Sequence, residues 1–362
     1  MVAAAGLSAA AGSVLALVAA LLLPSSFLGL PGIGHELGAT LLFVLGVATQ
    51  VVGLVFDGAL LSTKGAGLQL GRNAVFSIVK LAAVIALAYG LTSTTSLSVF
   101  ASWVVGNVVS FMTTVAWMSR THSMRPSRFI PRSGVLAGRG RSAAAHHALN
   151  LALSTPYFAM PIVANVTMTS EQAGYLYATW SVAAFVFVLP IALSSALFAT
   201  GSKFTEDVVP QFRLSLKYSV LACLAATVVA ILLGDYVLQV FGKEYAEQGH
   251  TALILLSVAG LGLVIKDHHV ALARLTDRVG LEARLVWGLT AMEIGGATVG
   301  GILDDIEGMA AGWLIAVLVG ANVYAPRVLR AYRGKLEPGS SDSGRSASAS
   351  DEDLSESPSI PL

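Results

Sequence analysis

The sequence predicts an all-α polytopic membrane protein with two helix bundles, of about four and six transmembrane helices, joined by a basic cytoplasmic loop. Of the 362 residues, 55% are hydrophobic and only 12% are charged. That charged fraction is about half of the roughly 25% found in soluble domains. The mean hydropathy is +0.74. Long apolar runs recur along the chain, and basic residues collect in every second break between them.

Ten apolar runs are long enough for membrane-spanning helices, because a helix needs roughly 20 apolar residues to cross a bilayer. They are Ala3–Leu23, Leu37–Leu61, Ala74–Leu91, Leu97–Met118, Ala143–Val166, Ala173–Phe198, Leu214–Val240, Thr251–Ala271, Leu285–Leu303 and Met309–Ala325. The third run is short, and glycines interrupt the ninth. The first run is long and no Lys or Arg precedes it, so it is interpreted as a retained helix and not as a signal peptide.

Lys and Arg residues alternate between the breaks. The breaks after the second, fourth, sixth, eighth and tenth runs hold nearly all of them, and Arg120–Arg141 has six arginines and no acidic residue. Short basic loops face the cytoplasm. We therefore expect a multi-pass protein of the cell (plasma) membrane with both termini in the cytoplasm.

The same breaks predict the domain organisation. We expect a first transmembrane lobe at 1–118, a basic cytoplasmic linker at 119–142, a second lobe at 143–335 and an acidic disordered tail at 336–362. The tail is rich in Ser and Pro and has too few apolar residues to fold alone. It is interpreted as a solubilising segment, and a docking or phosphorylation role stays open. Two helix bundles joined by a cytoplasmic loop are typical of many transporters.

Several function classes are excluded or disfavoured by what the sequence lacks. The single cysteine, Cys223, excludes an intramolecular disulfide and a cysteine-based metal site. No phosphate-binding loop, Gly-x-Ser-x-Gly or His-Glu-x-x-His motif is present, so no enzyme activity, cofactor or metal is expected. A net charge of +1 gives no indication of a nucleic-acid partner. A membrane glycosyl- or phospho-transferase is the less favoured alternative, because its one acidic cluster, Asp304–Glu307, is a short turn.

Ionisable residues at membrane depth are costly and are candidates for function. Glu293 lies near the middle of the ninth run, where a glutamate must be protonated, paired or facing a water-filled cavity. A cavity role with proton or sodium coupling and a structural interhelical hydrogen bond both remain open for it. Lys80 lies about two turns from the cytoplasmic side, from which its long side chain can reach the interface.

Other polar residues lie near the cytoplasmic side. Interfacial anchoring and contact with an anionic headgroup both fit Arg72 and Asp57. His146 and Asn150 begin the second lobe, and the two adjacent histidines there point about 100° apart and so form no ready metal pair. For Lys266, a local ion pair at the interface is the alternative to a cavity role. The substrate-cavity candidates are Arg72, Lys80, Asp57, His146, Asn150, Lys266 and Glu293, and Glu293 is also the ion-coupling candidate.

Short segments punctuated by Gly, Pro and Tyr occur in a distinctive order on the predicted sides of the membrane. They are Val55–Leu61, Gly71–Leu81, Ser170–Trp180, Leu189–Phe198 and Val240–Gly249. In these segments the chain resembles the polysaccharide and lipid-linked oligosaccharide flippases of the multidrug/oligosaccharidyl-lipid/polysaccharide exporter superfamily. The resemblance covers most of Val55 to Arg330.

The resemblance implies two lobes of six helices, so the first helix pair is expected to be missing, either because the chain begins too late or because it is a reduced member. It implies alternating-access transport of polyprenyl-linked oligosaccharide or polysaccharide repeat units. The implied partners are the bilayer, an anionic lipid-linked glycan and glycan-assembly enzymes. Two alternatives stay open: a multidrug or small-molecule exporter of the same superfamily, and an inactive truncated member.

Overall fold

The computed structural model describes residues 2–25, 30–63, 66–90, 95–121, 140–201, 208–276 and 278–335. Over these ranges the chain forms nine α-helices and no strand. They are α1 (Val2–Leu22), α2 (Leu37–Thr63), α3 (Ala66–Gly90), α4 (Ser96–Thr121), α5 (Gly140–Thr167), α6 (Ser170–Gly201), α7 (Val208–Gln239), α8 (Lys243–Leu275) and α9 (Val279–Tyr332). Seven of these helices, all except α1 and α5, are long and apolar enough to cross a membrane. The predicted all-α, multi-pass fold is confirmed.

The helices form two compact units, Met1–Ala137 and Gly138–Leu362. In the first unit, α1 packs on α2, and α4 packs on both α3 and α2. In the second unit, α8 is central and contacts α6, α7 and α9, while α5 packs on α9. Residues 122–139 of the predicted linker and the whole predicted tail, 336–362, lie outside the described residues. The predicted domain boundaries therefore stay a prediction.

Deep amide side chains connect two helices of the first unit. The Nδ2 atom of Asn107 on α4 donates a hydrogen bond of 3.4 Å to Oε1 of Gln50 on α2. Neutral polar groups in lipid gain from such interhelical bonds, because no water is available as a partner. The expectation that these two residues join helices is confirmed.

The helix α9 bends at Asp304 and Asp305, which have non-helical backbone angles. Its two halves pack on each other at glycines, and a Cβ atom added to Gly296 would lie 2.7 Å from the carbonyl oxygen of Gly312. The halves correspond to the predicted ninth and tenth runs. The glycines that interrupt the ninth run are therefore the residues that permit this close packing.

Prolines in α5 and α6 leave two carbonyl groups without their helical partners, because proline has no N–H. Pro156 frees the carbonyl of Ala152, which accepts a 2.9 Å hydrogen bond from the hydroxyl of Thr290 on α9. Pro190 frees the carbonyl of Val186, and the thiol of Cys223 on α7 donates to it at 3.8 Å. Side chains from neighbouring helices thus satisfy both carbonyls.

The Thr290 contact predicts a stability effect that depends on Pro156. Replacing Thr290 with valine should lower the free energy of unfolding by about 1–3 kcal/mol, because the buried Ala152 carbonyl loses its donor. In a Pro156→Ala background the N–H of residue 156 can donate instead, so the same change should cost less. Thermal unfolding of the purified protein in one detergent measures both. Equal losses in the two backgrounds would contradict the assignment, and Thr290→Ser is the control that keeps the hydroxyl.

Candidate functional site

A buried ion pair joins α8 and α9 inside the second unit. The Nζ atom of Lys266 lies 2.7 Å from Oε1 of Glu293, and the two side chains are only 5% and 2% exposed. Glu293 lies about 21 Å along α9 from Val279, at 1.5 Å per residue, well within the membrane interior. Each charge alone would be costly at this depth, so the pair is neutral as a unit. The second oxygen of Glu293, Oε2, is buried and has no hydrogen-bond partner among the described residues.

A second set of contacts lies nearer the end of α8. The Nε2 atom of His269 lies 2.8 Å from Oε2 of Glu282 on α9. The other Glu282 oxygen accepts a hydrogen bond from Arg327. Arg327 also donates, through Nη2, a 2.8 Å bond to the hydroxyl of Thr276. These bonds connect the beginning of α9, its last turns and the residue that follows α8.

Tyr324 lies beside His269, with the two ring centroids 4.4 Å apart. Its hydroxyl and Nδ1 of His269 are both buried and without a hydrogen-bond partner in the part of the chain that the structure describes. Unpartnered buried polar atoms are rare in native proteins and call for an explanation. We name Lys266, His269, Glu282, Glu293, Tyr324 and Arg327 the α8–α9 polar cluster.

The local ion pair expected for the sequence Lys266–His269 is not what forms. Lys266 and His269 are buried and bind residues of α9, while Nε2 of His268 lies 3.0 Å from the hydroxyl of Ser215 on α7. Consecutive residues of a helix point in different directions, so buried side chains there find partners on neighbouring helices. The interfacial placement of this segment was wrong for these three side chains, because α6, α7 and α9 surround α8.

The other predicted residues of the second unit lie on α5. Asn150 accepts a 2.7 Å hydrogen bond from Nη2 of Arg274, whose guanidinium group is 5.8 Å from the ring centroid of Phe198. His146 is half-buried and its neighbour His147 is exposed. The described contacts of the α8–α9 polar cluster include neither His146 nor Asn150.

In the first unit, Arg72 and Asp57 form a bidentate ion pair between α3 and α2. Nε and Nη2 of Arg72 lie 2.7 and 2.6 Å from the two carboxylate oxygens, and the side chains are 7% and 17% exposed. Arg72 is therefore already neutralised. Lys80 is exposed, with Nζ 5.9 Å from the ring centroid of Phe76.

The acidic turn considered for a transferase forms the bend of α9. Asp305 accepts a 2.8 Å hydrogen bond from the side chain of Gln172 on α6. Over the ranges that the structure covers, no three His, Cys, Asp or Glu side chains are arranged to hold a metal ion.

Three members of the cluster were not predicted from the sequence. Glu282 and Arg327 lie at the ends of apolar runs, where charged residues are commonplace, and Tyr324 reads as an interfacial aromatic residue. A usable signal was present: Tyr324 and Arg327 are three residues apart and so share a helix face.

No family model and no curated protein matches the sequence. Solved structures do match. A MATE structure in complex with MaL6 has a TM-score of 0.64 at 18% identity, over 92% of this chain and 80% of that chain. An outward-facing multidrug resistance MATE family transporter of the MOP superfamily has a TM-score of 0.66 at 16% identity, over 91% and 78%. The chain has the MATE fold. A MOP superfamily transporter from Pyrococcus furiosus also matches, with a TM-score of 0.63 at 17% identity, over 91% and 78%.

Proposed function

We propose that the protein is an alternating-access transporter that moves polyprenyl-linked oligosaccharide or polysaccharide repeat units from the cytoplasmic to the outer leaflet of the cell membrane. The MATE fold carries the transporter assignment, since the matching structures are of membrane transporters. The glycan substrate rests on the flippase-like segments along Val55–Arg330. The lipid tail of such a substrate stays in the bilayer, so the protein has to accommodate only its anionic and hydrated headgroup.

We further propose that the Lys266–Glu293 pair couples transport to a proton. The pair is neutral as it stands, so a proton bound by Glu293 leaves Lys266 as a buried charge without a counter-ion. That state is costly and favours a different arrangement of α8 against α9. A ligand shifts a conformational equilibrium only through such a difference between two states.

A multidrug or small-molecule exporter is the second candidate, and one structural observation favours it. The cations Arg72 and Lys266, expected to meet an anionic substrate, are each neutralised by a carboxylate. One matching structure is of a multidrug resistance transporter. For the Pyrococcus furiosus transporter, a binding pocket of reversed polarity suggests a different function. Charge is therefore the property that separates the two candidates.

A deletion strain tests both. Loss of the protein should trap lipid-linked glycan on the cytoplasmic leaflet, and the intact gene should restore its flipping. A Glu293→Gln variant should restore flipping without its dependence on the proton gradient, because glutamine keeps a hydrogen bond to Lys266 but binds no proton in this range. Lys243→Gln, at an exposed site, is the matched control. Drug hypersensitivity without trapped glycan would favour the exporter, and neither phenotype would reject a transporter.

A further inference from the structure

One end of the second unit has an exposed basic surface. Its cations lie at the beginning of α7, near the beginning of α9 and after the end of α9. They are Arg213, Lys217, Arg284, Arg333 and Lys335, all exposed. Arg213 belongs to the same end as the last turn of α9, because its Nε donates a 2.7 Å hydrogen bond to the carbonyl of Tyr332. We call these five residues the basic end.

The carboxylates nearest to the basic end do not balance it. Glu282 is buried and binds His269 and Arg327, and Oδ2 of Asp267 is buried as well. Arg327 already uses its charge on Glu282. Within the described ranges of the second unit, the cations of the basic end therefore have no exposed carboxylate beside them.

The chain itself carries a matching anionic segment just beyond this surface. Ser350–Ser357 contains four carboxylates, those of Asp351, Glu352, Asp353 and Glu356, and no basic residue. The intervening residues, 336–350, are rich in Ser and Gly. A stretch of that composition and length has a root-mean-square span of about 20 Å, comparable with the width of a small helix bundle. Such a tether gives its end a local concentration on the order of millimolar.

We propose that the acidic segment Ser350–Ser357 docks on the basic end of the second unit. Attraction between the four carboxylates and the five cations provides the driving force, and the short tether makes the contact intramolecular. The docked segment covers cations that would otherwise meet anionic lipid headgroups. Its serines border the carboxylates, so phosphorylation would add about two negative charges at each site and strengthen docking. This inference does not depend on the transported substrate.

The lysines of the chain allow a direct test. A water-soluble carbodiimide joins a carboxylate to an amine in direct contact, and mass spectrometry identifies the linked peptides. In the full-length protein in detergent, the segment should become linked to Lys217. It should not become linked to Lys243, which is 85% exposed but about 33 Å farther along the α7 direction, at 1.5 Å per residue from Lys217 to Gln239. Lys243 is thus the matched control for reactivity.

Three further measurements decide the outcome. Linking to Lys217 should fall about fivefold in 1 M salt, where the screening length is about 3 Å. It should also fall in the double variant Arg213→Gln/Arg333→Gln, which leaves Lys217 in place. In an equal mixture of isotope-labelled and unlabelled protein, the linked peptides should come from one molecule. The proposal is overturned by equal linking of Lys217 and Lys243, by linking only between molecules, or by displacement of the segment at every tested fraction of anionic lipid.

Discussion

Replacing Lys266 with methionine should lower the free energy of unfolding by about 3–5 kcal/mol, the cost of leaving a buried charge without its partner. Glu293 is 2% exposed, and its Oε2 atom already lacks a hydrogen-bond partner among the described residues. Without Lys266, both carboxylate oxygens would be buried and unpaired. The midpoint of thermal unfolding in a fixed detergent, with the fraction of monodisperse protein, measures the loss.

A double variant separates the charge effect from lost packing. Lys266→Met combined with Glu293→Leu removes both charges and keeps apolar volume, so it should recover most of the stability lost by the single variant, as replaced buried pairs commonly do. Lys243→Met removes an exposed lysine whose partner, Glu247, is itself 55% exposed, and should change stability by less than about 0.5 kcal/mol. If the double variant is as unstable as Lys266→Met alone, the ion pair is not the cause.

The depth of Glu293 could be predicted from the sequence, but its partner could not. Counting residues along an apolar run gives the position of a charge in the bilayer. Which of several cations it meets depends on how α8 packs against α9, and 27 residues separate Lys266 from Glu293. The alternating basic breaks identified the helices because lipid imposes that pattern on each helix separately. Pairings between helices have no comparable local signature.

Residues at the ends of the runs show the same limit from the other side. Glu282 and Arg327 look like ordinary interfacial charges in the sequence, yet they bind each other. Their contact exists because α9 folds back on itself at Asp304 and Asp305. The bend could be expected from the acidic turn between two apolar runs, whereas the register of its two halves is set by glycines whose roles appear only in three dimensions.

That register rests on two Gly-x-x-x-Gly sequences, Gly296–Gly300 before the bend of α9 and Gly308–Gly312 after it. Small residues at this spacing let helix backbones approach closely in membranes. A Cβ atom at Gly312 would overlap the carbonyl oxygen of Gly296, and one at Gly308 would lie 2.8 Å from the Cβ atom of Asp304. The first obstacle is backbone, which cannot move aside as a flexible side chain can.

Gly312→Val should therefore force the two halves of α9 apart and lower the free energy of unfolding by about 3 kcal/mol, the upper end of the range for overpacked cores. Because the same halves carry Glu282 and Arg327, the change should also break that ion pair. Gly295→Val is the matched control: its Cβ atom would have no neighbour within 4 Å, so this substitution should leave stability within about 0.5 kcal/mol of the parent. The unfolding midpoint and size-exclusion profile of the two variants measure the difference. Equal behaviour of the two variants would mean that the glycine contact does not hold the hairpin together.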